Sequence, residues 1–237
     1  MSMAYTSDRP VATLDDTTRG DFIIRVYQHL LAALVVFVGL ETLLFTLGLS
    51  KQLYDFVSGS RGAWFLILGG FMIVSWLATS AAADLRNPSR QYLGLFGIAG
   101  AEALIFAPFL YYFFEVDQNG GTATVAAAAV ITAIGFAGLS VVAFVTRRDL
   151  SFLRPLVMWG FVSALVLIVA ALLFGLELGV WFSVAMIALA GASILYQTQT
   201  IMRRYPADAH VAAAVQLFAA VMLLFWYVLR LLGQLRR

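Results

Sequence analysis

Long apolar runs alternate with short polar breaks along the chain, and the runs share one length. Seven stretches, approximately 26–49, 63–83, 92–114, 123–145, 156–175, 180–199 and 211–232, are mostly apolar with few charges. About 20 mostly apolar residues in a helix cross the roughly 30 Å of bilayer hydrocarbon. Runs this long without two-residue alternation exclude barrel strands, because in lipid only a helix closes its backbone bonds within one segment. The pattern predicts an all-α integral membrane protein of seven transmembrane helices. Breakers mark the connections: "SGSRG" before the second helix, "DLRNPSRQ" before the third and "DQNGG" before the fourth. They leave no room for a separate soluble domain. Residues 22–237 are expected to form one seven-helix domain behind a flexible polar tail, residues 1–21, which lacks the apolar core of a signal peptide.

Composition sharpens this picture. The chain is 62% hydrophobic and 12% charged, where a soluble domain is about half apolar and a quarter charged. The lipid bilayer is therefore the expected solvent. Net charge is only +2, with arginines in short clusters. Nucleic acid is excluded as a partner, because binding phosphates needs a continuous basic face. There is no Cys and there are two His, so thiolate chemistry is excluded and a haem or zinc site is not expected. The only Lys is Lys51, in a connection, which leaves no late-helix Schiff base for retinal. No phosphate loop, HExxH pair or GxSxG elbow is present. Neither enzyme activity nor a cofactor is expected.

Lys and Arg also set an orientation. With the N-terminus in the cytoplasm, Arg9, Arg19, Arg25, Arg86, Arg90, Arg147, Arg148, Arg154, Arg203 and Arg204 lie inside. Only Lys51, Arg61, Arg230, Arg236 and Arg237 lie outside. The C-terminal "RLLGQLRR" dissents, and a six-span alternative would place it inside. Arg230 is expected to snorkel to headgroups. Small residues at four-residue spacing, Ala129, Ala133 and Ala137, and likewise Ala188 and Ala192, predict packing seams between helices. Pro108 removes a backbone bond from the third span and predicts a kink or a freed carbonyl.

Polar groups at membrane depth are the candidate functional residues, because each is costly there. Glu41 lies in "VGLETLLF" and Glu102 in "AGAEALIFAP". Each is expected to be a neutral hydrogen-bond donor, a proton or cation site, or a tie to a neighbouring helix. In "GASILYQTQTIM", residues 191–202, the sixth run ends in Gln197 and Gln199. Gln216 lies early in the seventh run, at a depth where it could pair with Gln197 as interhelical glue. His29, near the start of the first run, reads as an interface hydrogen-bonder in preference to a pH sensor. Asp84 and Asp149, in connections, would line a mouth or stay solvated.

The segment "GFAGLSVVAFVTRRDLSFLRPLVMWG", residues 135–160, resembles the Bax inhibitor-1 family. Gly138, Leu139, Ser140, Thr146, Arg147, Arg148, Asp149, Ser151, Phe152 and Leu153 match its pattern. Leu150 and "RP" depart from it. "FIIRVYQHLLAAL", "ASILYQTQTIM" and "WYVLRLLG" are similar to its first, sixth and seventh helices, so the resemblance covers nearly the whole chain. It implies seven helices with the last surrounded by six. It also implies a pH-sensitive calcium leak gated by two aspartates sharing a proton. Gln197 and Ala220 stand at those two positions here, and Gln216 lies one turn before Ala220. Neither replacement titrates, so the resemblance implies a calcium or cation leak pathway, or its regulator, without that latch. A non-conducting subunit that binds another membrane protein or complex is the competing expectation. The membrane expected is a bacterial-type plasma membrane.

Overall fold

Asp15 starts the first helix by accepting hydrogen bonds from the Thr18 amide at 3.0 Å and the Thr18 hydroxyl at 2.8 Å, the usual way to satisfy an unpaired first-turn amide. In the computed structural model, which describes residues 9–117, 120–146 and 148–236, this helix, α1, is Asp16–Thr46. It buries Phe22, Val26, Leu30, Ala33, Phe37 and Glu41, one stripe at three- and four-residue spacing. The remaining faces expose Leu31, Val35 and Val38, as a lipid-facing helix does. Residues 9–21 are not a flexible tail. Val11 is buried, its amide donates to the Tyr205 carbonyl at 2.8 Å, and Pro10 pairs with Pro206. The rest of the expected tail, residues 1–8, lies outside the described residues.

The helix α2, Leu49–Gly59, is absent from the hydropathy reading, which ran the first span to residue 49. It buries Ser50 and Val57 and pairs Lys51 with Asp55 on its exposed side at 2.6 Å. Eleven residues with one polar face are too short to span. Ser60 caps α3, Arg61–Ala82, and Asn87 caps α4, Pro88–Tyr111, whose first residue is the favoured proline. α4 then widens into a π-helical turn, Tyr112–Val116. Pro108 lies inside α4, four residues before that turn, and removes one backbone hydrogen bond from the helix.

The remaining helices are α5, Gly121–Val145; α6, Leu153–Phe174; α7, Val180–Arg204; and α8, His210–Leu235, preceded by a single 3-10 turn, Ala207–Ala209. Among the described residues, seven helices are long and apolar enough to cross a membrane: Asp16–Thr46, Gly62–Ala82, Pro88–Val116, Gly121–Val145, Leu153–Phe174, Val180–Arg204 and Ala207–Leu235. No strand occurs among the described residues. The third and last spans are each 67% buried against 11–33% for the others. The last helix is thus as enclosed as expected, and the third span shares that character.

Contacts group the chain into two compact units. The first comprises Met1–Tyr112 with Thr200–Ala219, the second Phe113–Gln199 with Ala220–Arg237. In the first, α1, α2 and α3 all pack on α4. α3 and α4 approach so closely that a Cβ on Gly94 would meet the Ala78 carbonyl oxygen at 2.4 Å and the Ala82 nitrogen at 2.7 Å. In the second unit the π-helical turn presses on α5: a Cβ on Gly121 would lie 1.8 Å from the Phe113 carbonyl oxygen, and one on Gly233 would lie 2.8 Å from the Phe113 ring. The expected seam of Ala129, Ala133 and Ala137 faces outward. α5 instead buries Gly121, Thr124, Ala128, Thr132 and Ser140. The hydroxyl-bearing face turns inward because lipid offers hydroxyls no partner, whereas alanine methyls are at ease in it. On α7, Ala188 is exposed and Ala192 half-buried, and Ser183, Met186, Ala190 and Ile194 form the buried face.

Candidate functional site

In the first unit α1 and α4 run parallel, as three ring contacts in matching order require: His29 with Tyr92, Phe37 with Phe106 and Phe45 with Tyr111. Glu41 on α1 and Glu102 on α4 both fall between the Tyr92 and Tyr111 levels. Both are buried, each 6% exposed. Neither Glu41 carboxylate oxygen has a hydrogen-bond partner among the described residues. The expected tie to a neighbouring helix is therefore not made by Glu41. A carboxyl enclosed by apolar groups with no donor in reach is held by a proton or a cation. No group of three or more His, Asp or Glu that could hold a metal occurs among the described residues, so any cation here is bound weakly.

One end of this unit carries a second polar group. His29 Nδ1 lies 2.7 Å from the Arg25 carbonyl oxygen and Nε2 lies 3.1 Å from the Tyr92 hydroxyl, the interface hydrogen-bonding expected of it. The His210 ring centroid is 4.9 Å away, a contact that no local pattern announces. Asp84 pairs with Arg90 at 2.8 Å and caps the Arg86 amide at 3.3 Å, a solvated loop role.

In the second unit Gln199 has a definite task. Its Oε1 accepts from the Leu150 amide at 2.6 Å, and its Nε2 donates to the Arg148 carbonyl at 2.7 Å and to the Thr146 carbonyl at 3.4 Å. Gln199 is 3% exposed. One buried amide thus holds the loop between α5 and α6 by three backbone groups. Asp149 fixes the same loop by accepting from the Ser151 amide at 3.0 Å and its hydroxyl at 2.7 Å. The motif residues Arg148, Asp149 and Ser151 thus build a stapled loop; Arg147 lies outside the described residues. Mouth-lining by Asp149 gives way to this capping.

Gln197 donates to Ser193 Oγ at 3.0 Å, within its own helix, and its Oε1 is buried without a partner among the described residues. Gln216 is half-buried on α8 and forms no side-chain hydrogen bond among the described residues. Gln197 lies in the second unit and Gln216 in the first. Ala220 is buried. Ser140, Thr132 and Thr198 join Gln197 as buried polar groups without partners among the described residues; short hydroxyls in apolar runs gave no warning of this. Arg230 does not snorkel. It donates to the Leu178 carbonyl at 2.7 Å and lies 5.7 Å over the Phe182 ring. Gln234 donates to the same carbonyl at 2.9 Å and accepts from Ser183 at 2.8 Å. Arg236 donates to the Gly120 carbonyl and the Thr124 hydroxyl. The four-residue spacing of Arg230 and Gln234 was the readable signal, since it puts both on one helix face.

Seven apolar spans, with acids and amides turned inward from lipid, define a helical integral membrane protein. Residues 19–237 match the model of the family described as inhibitor of apoptosis-promoting Bax1. The chain belongs to this Bax inhibitor-1 family. It is also 30% identical over 172 residues to an uncharacterized protein of Pseudomonas aeruginosa, covering 71% of this chain and 73% of that one.

Proposed function

We propose that the protein is a cation leak pathway, or the regulator of one, in which a proton-sharing aspartate latch is replaced by fixed amide chemistry. What supports this reading is the pair Glu41 and Glu102, buried on parallel neighbouring helices at membrane depth, with both Glu41 oxygens unpartnered. Calcium is the proposed ion, carried over from the family resemblance, and weak coordination suits a leak better than a store. The role is transport, not catalysis. The proposed setting is a bacterial inner membrane with the N-terminus cytoplasmic. Arg230 and Arg236 are occupied by backbone carbonyls, which removes much of the weight of the C-terminal charges that opposed this orientation. The test is calcium entry into dye-loaded proteoliposomes. Entry above that of empty vesicles, abolished by Glu102→Gln, is the expected result; entry equal to empty vesicles at every pH overturns it.

A second reading, a non-conducting subunit of a membrane complex, is favoured by one observation. The second unit carries an apolar groove of about 480 Å³ whose lining includes Gly135, Ala188, Gly191 and Ala192. Small residues of this kind let another helix approach closely. This reading predicts no flux and a co-purifying membrane partner.

A further inference from the structure

The chain has two histidines, and they meet. His29 on α1 and His210 at the first turn of α8 have ring centroids 4.9 Å apart, with planes tilted by 58°. A backbone carbonyl only accepts, so the 2.7 Å contact with the Arg25 oxygen puts a proton on His29 Nδ1. In the neutral ring Nε2 is then an acceptor for the Tyr92 hydroxyl. A second proton on His29 needs only a rotation of that hydroxyl, which can accept as well as donate. His29 can therefore become charged without losing a bond. His210 is less well provided for: its Nδ1 is buried with no hydrogen-bond partner among the described residues.

Arg25 on α1 and Asp208 in the turn before α8 are the charged groups that act on His210, and the Ala207 carbonyl faces it as well. Arg25 adds to the repulsion felt by a charged ring and Asp208 offsets it. Two imidazolium rings at this separation repel each other, with one nearby cation and one nearby anion to balance. The same end of the unit is closed by the Val11 amide on the Tyr205 carbonyl and by the pairing of Pro10 with Pro206. The N-terminal segment, α1 and the start of α8 are thus held together in one small region.

We infer that the His29–His210 contact is a proton-operated latch, closed while at least one ring is neutral and released when both are charged. Release frees the start of α8 and the segment bonded to Tyr205 from α1. The latch uses none of the residues at the two aspartate positions and does not depend on whether the protein conducts.

The test uses the full chain in lipid nanodiscs. Its lack of cysteine allows spin labels at Gln28→Cys and Ala207→Cys with no background. The expected result is one short interlabel distance at pH 8 and a second, longer population growing in by pH 5. That growth is lost in His210→Gln and, as an independent check should that variant fail to fold, in His29→Gln. His210→Arg, which supplies one fixed charge, keeps the short distance at pH 8 and gives the longer population on acidification. Identical distance distributions at pH 8 and pH 5 with both histidines present overturn the inference, as does an acid response that survives in both glutamine variants.

Discussion

Two glutamines a single residue apart should differ sharply in what they contribute to stability. Gln199→Leu removes two short hydrogen bonds, at 2.6 and 2.7 Å, and one long one at 3.4 Å. Each normal bond contributes about 1 kcal/mol net, and an abandoned buried partner costs about 1–3 kcal/mol. Here the abandoned groups are a loop amide and two loop carbonyls beside Asp149 and Arg148, at the edge of the apolar span, where water can reach them once the loop loosens. The lower end applies, and the loss is about 2–3 kcal/mol. Gln197→Leu removes a single bond to Ser193 and also deletes a buried oxygen that has no partner among the described residues. Those effects oppose each other, so the change is within about 1 kcal/mol of zero. Unfolding in mixed micelles, followed by tryptophan fluorescence, gives both values. Hydrogen exchange across residues 148–152 should quicken only in Gln199→Leu. Equal losses for the two variants, or no faster exchange in the loop, would refute the assignment of Gln199 as the staple.

Further expectations follow from other contacts. Gly94→Ala should destabilise by about 2 kcal/mol or more, since its new methyl meets Ala78 and Ala82 backbone, whereas Gly97→Ala, with only the Ala78 Cβ at 3.9 Å, should be neutral or stabilising by up to about 1 kcal/mol through helix propensity; thermal unfolding of the pair checks both. The Asp15 carboxyl is lowered to about 2 by hydrogen bonds from the Thr18 amide and hydroxyl and the Thr17 side chain. A folded value below the unfolded one means its contribution is complete above about pH 4 and disappears as pH falls toward 2. Amide exchange at the first turn of α1 should therefore rise above its intrinsic pH dependence in that window, and Asp15→Asn should abolish the rise. Gln197→Asp with Ala220→Asp should install a pH dependence on calcium flux; a folded double variant with pH-independent flux would sink the latch substitution.

The spans were legible because hydropathy reports solvent, and a bilayer imposes it over a fixed length. α2 was not, because its apolar positions share a face with nothing long enough to cross, so it read as the fraying end of α1. Burial of Glu41 and Glu102 was legible from cost alone. The work of Gln199 was not, since its partners are backbone groups of Thr146, Arg148 and Leu150, and any sequence supplies those. The seam on α5 was misplaced because alanine spacing was weighed above the threonines beside it, although only the hydroxyls have something to lose in lipid. The meeting of His29 with His210 joins opposite ends of the chain, and no local pattern encodes it.

The crowding of Phe113 against Gly121 and Gly233 has an implication for how this chain can change over generations. A side chain at residue 121 has no room beside the Phe113 carbonyl unless the π-helical turn moves. Substitutions of Gly121 and Gly233 should thus be rare in descendants, and drift at these three positions should come as a set.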